Sequence, residues 1–155
     1  RFQTDIKSRE IRINKIKSLM NPDLRYSILL AEDNKINQIV TKKLLENQNY
    51  EYTIVENGKD VLFEVNNNDY DLILMDINMP IMNGNEATKL IRKFDKNIPI
   101  IALTASDLEE VRHNYSDIGY NKIITKPFDN YEFYQTIHDS IQNSKRKPIV
   151  NAHAS

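Results

Sequence analysis

Two short apolar runs in this 155-residue chain end in carboxylates, and a third ends in a lysine followed by proline. Ile28-Leu29-Leu30-Ala31 runs into Glu32-Asp33, Leu72-Ile73-Leu74-Met75 into Asp76, and Ile123-Ile124-Thr125 into Lys126-Pro127. A fourth run, Ile100-Ile101-Ala102-Leu103, ends at the hydroxyl of Thr104. Three acids brought together repel one another, and at least one tends to stay protonated unless a cation intervenes. A hard dication resolves this, and Mg²⁺ suits it because it binds through one or two carboxylates and keeps several waters. With its charge offset, Asp76 can act as a nucleophile toward a phosphoryl group and become an aspartyl phosphate. Lys126 then offers a compact cation to the remaining phosphoryl oxygens. Thr104 offers a hydroxyl to the same crevice.

This chemistry requires elements that bring distant residues together. Apolar runs of this length between helical patterns read as buried parallel strands, expected near 27–31, 52–56, 71–75, 99–103 and 121–125. In an open α/β sheet the carboxyl ends of such strands line one crevice, where ligands bind. Between the strands lie helical stripes: Ile36, Val40 and Leu44, then Ala87, Leu90, Ile91 and Phe94, and finally Tyr134, Ile137 and Ile141. Asn83-Gly84 marks the turn before the third helix, and Asp107 is placed to cap the fourth. Alternation of strand and helix five times predicts right-handed crossovers and a doubly wound α/β parallel sheet. A single acid, threonine or lysine after a strand is usually a cap or loop residue. The chemical reading rests on all of them ending separate strands at one sheet edge.

The length suits one domain with a proper core and excludes two large ones. A net charge of −1 gives no electrostatic case for nucleic acid as a partner. No apolar stretch approaches the ~20 residues of a membrane span. Zero cysteines exclude disulfides and thiolate metal sites and fit a reducing compartment, so a cytoplasmic location is expected. The chain opens on Arg1 with no signal-peptide pattern and reads as an excised piece of something longer. The abundant asparagines read as a compositional habit.

Three segments are expected. Residues 1–25 place Ile6, Ile13, Ile16 and Met20 near heptad spacing among charged residues, an amphipathic linker helix stopped by Asn21-Pro22. Residues 26–144 carry the five strand–helix units, and 145–155 form a solvated tail. His113, His138 and His153 stand in no phosphotransfer context and read as surface residues.

Residues 27–143 resemble a receiver domain of a two-component response regulator. The match is carried by Leu29-Leu30-Ala31-Glu32-Asp33-Asn34, by Met75-Asp76-Ile77-Asn78-Met79-Pro80 with Asn83-Gly84, by Ala102-Leu103-Thr104-Ala105, and by Thr125-Lys126-Pro127-Phe128. The resemblance implies a flavodoxin-like sheet of order 2-1-3-4-5 and a phosphorylated Asp76. It further implies Asp33 as a direct Mg²⁺ ligand, Glu32 as its neighbour acting through water, and the backbone carbonyl of Asn78 as a third protein ligand. Thr104 and Lys126 hold the phosphoryl group, and Lys126-Pro127 matches a bond that is cis in the family. Such domains take phosphate from a phosphohistidine and catalyse that transfer themselves. The implied partner is a histidine kinase or a histidine phosphotransfer protein, with docking on the first helix around Ile36, Asn37 and Val40.

The wording Glu32-Asp33-Asn34-Lys35-Ile36-Asn37-Gln38 resembles receivers attached to hybrid sensor histidine kinases. One departure stands out. Three residues before the lysine the family often has an aromatic ring that moves with the threonine; here that position is Ile123. Tyr120 sits at another offset and reads as a packing residue. A phosphoryl group adds about −1.5 to −2 charge, and the response is expected as a population shift across residues 107–115 and 120–143. Alternatives are a stand-alone single-domain regulator or a binding module that is never phosphorylated. Phosphohydrolases of the haloacid dehalogenase type need an acid two residues after the nucleophile, where this chain has Asn78. A flavodoxin-like cofactor binder needs a hydroxyl- and glycine-rich loop where this chain has Asp33-Asn34-Lys35.

Overall fold

A computed structural model of the protein describes residues 25–105 and 109–144. The linker helix expected before residue 25, the Asp107 cap and the tail from Lys145 lie outside them. Five strands alternate with five helices: β1 (Ser27–Ala31), α1 (Lys35–Asn47), β2 (Glu51–Val55), α2 (Gly58–Asn67), β3 (Leu72–Asp76), α3 (Gly84–Ile91), β4 (Ile100–Thr104), α4 (Glu109–Ile118), β5 (Lys122–Thr125) and α5 (Asn130–Asn143). All pairings are parallel, in the order β2-β1-β3-β4-β5. The doubly wound sheet of order 2-1-3-4-5 is therefore present.

Side chains alternate across a strand with period two, and this divides the apolar residues between two cores. Ile28, Leu30, Leu72, Leu74, Ile101 and Leu103 pack with Leu44 and Leu45 of α1 and with Phe133, Ile137 and Ile141 of α5. Leu29, Ala31, Ile73, Met75, Ile100 and Ala102 pack on the other side with Val61 of α2 and with Ala87 and Ile91 of α3. The central strands β1, β3 and β4 are buried on both faces, which is why they read as continuous apolar runs. Four helices begin at an Asn or Asp whose side chain accepts from a backbone N–H three residues on: Asn34, Asn57, Asn83 and Asp129. Three of the abundant asparagines thus do structural work as caps.

The structure shifts several expected positions. Strands β3 and β4 run one residue later, so Asp76 and Thr104 are the last residues of their strands, not the first beyond them. Of the stripe Ile36, Val40 and Leu44, only Leu44 is buried. The face α1 turns to the sheet is Gln38, Thr41, Leu44 and Leu45, leaving Ile36 71% and Val40 52% exposed. Phe94 lies beyond the end of α3 and is exposed, because three consecutive turns close the helix at Lys93–Asp95.

Candidate phosphoacceptor and metal site

The parallel register sets the site. β1 lies beside β3, so Glu32 and Asp33, just past β1, meet Asp76 at the end of β3. One carboxylate oxygen from each of Glu32, Asp33 and Asp76 lies within 4.8 Å of the others. Glu32 is fully buried, Asp76 nearly so, and Asp33 is exposed. β4 lies next to β3, with Asp76 paired to Leu103 and Thr104 immediately after. β5 follows, with Thr104 opposite Thr125, and the Lys126 N–H donates to the Thr104 carbonyl at 2.7 Å. Lys126 thereby enters the crevice from two strands away, and its bond to Pro127 is cis.

Lys126 Nζ is bonded to Glu32 Oε1, a pair joining residues 94 apart in the chain. The lysine expected to meet the phosphoryl oxygens is held by the buried Glu32 carboxylate. Asp76 receives the backbone N–H of Asn78. Its carboxyl is pushed up to about 7, first by burial, then by a hydrogen bond and the charge of Glu32, while Lys126 and the Asn78 N–H pull the other way. Burial and the neighbouring acid thus favour the protonated form of Asp76, and the three oxygens form a hard, electron-rich set. That donor set fits Mg²⁺.

Two further details hold the acids in place. Gly84, the first residue of α3, donates its N–H to the Ile77 carbonyl at 2.9 Å, and a Cβ built there would stand 2.4 Å from the Asp76 carbonyl oxygen. Only glycine allows α3 to rest on the end of β3. Gln38, buried in α1, donates to the Glu32 carbonyl and to Glu56, which also binds Lys35. The sequence reading passed over Gln38; its signal is a polar side chain on the apolar face of α1, one turn after the Asn34 cap. Thr104 is buried at the end of β4. Ile123 is half-buried against the second core, and Tyr120 is buried in it.

Comparison with known proteins agrees with this architecture. Residues 28–138 match the response regulator receiver domain family. The chain is 39% identical over 123 residues to hybrid signal transduction histidine kinase I of Dictyostelium discoideum, covering 74% of this chain and 7% of that protein. It is 36% identical over 128 residues to hybrid signal transduction histidine kinase K of the same organism, covering 77% of this chain and 11% of that protein. It therefore spans only about a tenth of the length of these relatives. Among solved structures, the receiver domain of a sensor histidine kinase from Pseudomonas aeruginosa PAO1 superposes with a TM-score of 0.72 at 36% identity, covering 77% of this chain and 99% of that one. That structure holds a magnesium ion coordinated in its active site cleft. The strand order, the acids gathered at one sheet edge and the match over residues 28–138 agree: the chain belongs to the response regulator receiver domain family.

Proposed function

We propose that Asp76 accepts a phosphoryl group from a phosphohistidine on a kinase or phosphotransfer partner. A carboxylate oxygen of Asp76 forms the new P–O bond as the P–N bond breaks, and the electron pair stays on the imidazole nitrogen, which takes up a proton. The observation that carries this reading is the set of three carboxylates within 4.8 Å with Lys126 reaching the same set. Mg²⁺ held by Asp33, Asp76 and the Asn78 carbonyl, with Glu32 beside it, would offset the carboxylate charge and draw on a phosphoryl oxygen. Thr104 and Lys126 take the other phosphoryl oxygens, Lys126 after leaving Glu32. The hybrid kinase relatives support placement in a hybrid sensor histidine kinase; in this reading residues 26–144 are a cytoplasmic receiver, 1–25 a linker and 145–155 a tail.

For the partner, a groove of about 380 Å³ lined by Asn37, Val40, Thr41, Ala105, Lys126, Pro127 and Phe128 opens beside the site. Of the exposed apolar residues of α1, Ile36, Ile39 and Val40, the last lines this groove. Exposed apolar side chains next to the phosphoacceptor suit a helical donor domain that buries them while presenting its histidine. No described helix is long and apolar enough to cross a membrane. The test is intact mass after incubation with acetyl phosphate, with and without Mg²⁺, on the wild type and Asp76→Asn. A Mg²⁺-dependent phosphoryl adduct, absent from the variant, is the expected result. An adduct of equal yield in Asp76→Asn would remove Asp76 from the role.

A further inference from the structure

The turn between α4 and β5 is fastened to α3 along that helix's whole length, and one side chain runs between the fastenings. At the far end of α3, Arg92 donates from Nε to the Gly119 carbonyl at 2.8 Å and from Nη2 to Asn121 Oδ1 at 2.9 Å. Asn121 Oδ1 also receives the Ile100 N–H at 2.8 Å, and Gly119 adopts φ +124°, packed on Arg92. Between these anchors sits Tyr120, 3% exposed, whose hydroxyl donates to Asn85 Oδ1 at 2.8 Å. Asn85 is the second residue of α3 and follows Gly84, which rests on the Asp76–Ile77 backbone. Residues 85 and 92 are about 10 Å apart along a helix at 1.5 Å per residue. Tyr120 therefore links a turn clamped at one end of α3 to the end that touches the phosphoacceptor strand.

The position where the family often carries a mobile ring is Ile123, which has no polar atom and cannot make such a link. Tyr120 has both an acceptor at the head of α3 and a second group within reach. The Thr88 hydroxyl, one turn along α3, approaches the phenol and makes no well-formed hydrogen bond to any group. A buried hydroxyl left in that condition is an alternative partner for the phenol if Asn85 moves.

We propose that Tyr120 is a positioning residue for the phosphoacceptor site: through Asn85 it holds the head of α3 against the Asp76–Ile77 backbone and carries movement there to the α4–β5 turn. This rests on the assignment of Asp76 as the phosphoacceptor. Movement of the Asn78 backbone, which donates to Asp76 and offers a carbonyl to the metal, reaches Gly84 through the Ile77 carbonyl. From there it reaches Asn85, the Tyr120 hydroxyl and the turn. Coupling of this kind needs a physical chain of contacts, and its worth is set by measurement.

The test compares wild type, Tyr120→Phe and Asn85→Ala. Tyr120→Phe keeps the ring and removes only the hydroxyl. Amide NMR shifts across Gly119–Ile123 are read on adding Mg²⁺ with beryllofluoride as a phosphoryl mimic, and Mg²⁺ affinity is read by calorimetry without the mimic. Both variants are expected to stay folded, to lose about twofold to tenfold in Mg²⁺ affinity, and to show shifts at the turn about half or less of the wild-type ones. A residue that only packs the core would lower the melting temperature and leave both readouts unchanged, and that result overturns the proposal. Asn85→Ala, on a half-exposed side chain, decides the matter if Tyr120→Phe does not fold. A wild type whose amides do not respond to the mimic at all would instead overturn the phosphoacceptor assignment, and this proposal with it.

Discussion

Strand β3 has a buried carboxylate at each end, and the two have opposite surroundings. Asp71, just before the strand and 3% exposed, accepts the Ser27 backbone N–H at 2.8 Å. Asp76, at the other end and 8% exposed, is pushed up to about 7 by burial first and by Glu32 next, and faces two more carboxylates. One acid is answered by a fixed dipole and ties β1 to β3. The other is held among like charges, relieved only in part by the Asn78 N–H and Lys126. A buried charge with its hydrogen bonds made is part of the frame, whereas one held in conflict is poised for a ligand or a reaction. Both are buried and stand at opposite ends of β3, so what distinguishes them is the groups each one meets.

The contrast can be broken most severely at Asp76. Asp76→Asn is expected to abolish the acetyl phosphate adduct in intact mass while keeping the fold, and Asp71→Asn to keep the adduct. Equal loss in both variants would erase the distinction. Next in size is the metal: Asp33→Ala should weaken Mg²⁺ binding by about tenfold or more in calorimetry, and wild-type affinity there would count against the cluster. Lys126→Ala leaves the buried Glu32 without its cation. It should cost about 3 kcal/mol of stability without metal, with part of that returned by Mg²⁺ in a thermal melt and the response to phosphorylation lost. Asp71→Ala strands the part-buried Ser27 N–H, costing about 1 kcal/mol by urea unfolding with no change in Mg²⁺ affinity.

The most gradual effect is on pH. The folded Asp76 sits at about 7 against 3.8 unfolded, so the folded state holds the extra proton between those values. Its contribution to stability is complete below 3.8 and is lost as pH rises to about 7. The slope is at most about 1.4 kcal/mol per pH unit. The stability difference between wild type and Asp76→Asn should therefore drift against the wild type over that window without metal, and flatten when Mg²⁺ is present. A difference that stays level with pH in chelator would show that Asp76 is not under that pressure.

Much of this was legible because the central strands are buried on both faces, which leaves an uninterrupted apolar run whose end is marked by the first polar residue. That rule located Glu32, Asp33, Asp76, Thr104 and Lys126, with an error of one residue at Asp76 and Thr104, since a polar side chain at the rim can still belong to the ladder. The orientation of α1 was not legible. Its buried face includes Gln38 and Thr41, while Ile36 and Val40 are left outside; periodicity counts apolar residues and cannot see which of them the sheet covers. Nor could spacing show that Lys126 rests on Glu32 or that Tyr120 reaches Asn85. Those pairs are 94 and 35 residues apart, and their meeting depends on the distance between elements once packed.

The Lys126–Glu32 pair also bears on the order of events during synthesis. The acids are complete once β3 has been made, but their cation comes from the last strand, beyond β4. A nascent chain that has released β1 to β4 from the ribosome carries the full negative cluster with no ammonium to meet it. Until β5 docks, that charge can be offset only by a proton on Asp76, by the Asn78 N–H or by a bound dication. The final strand closes the sheet and brings Lys126 to Glu32 in one movement.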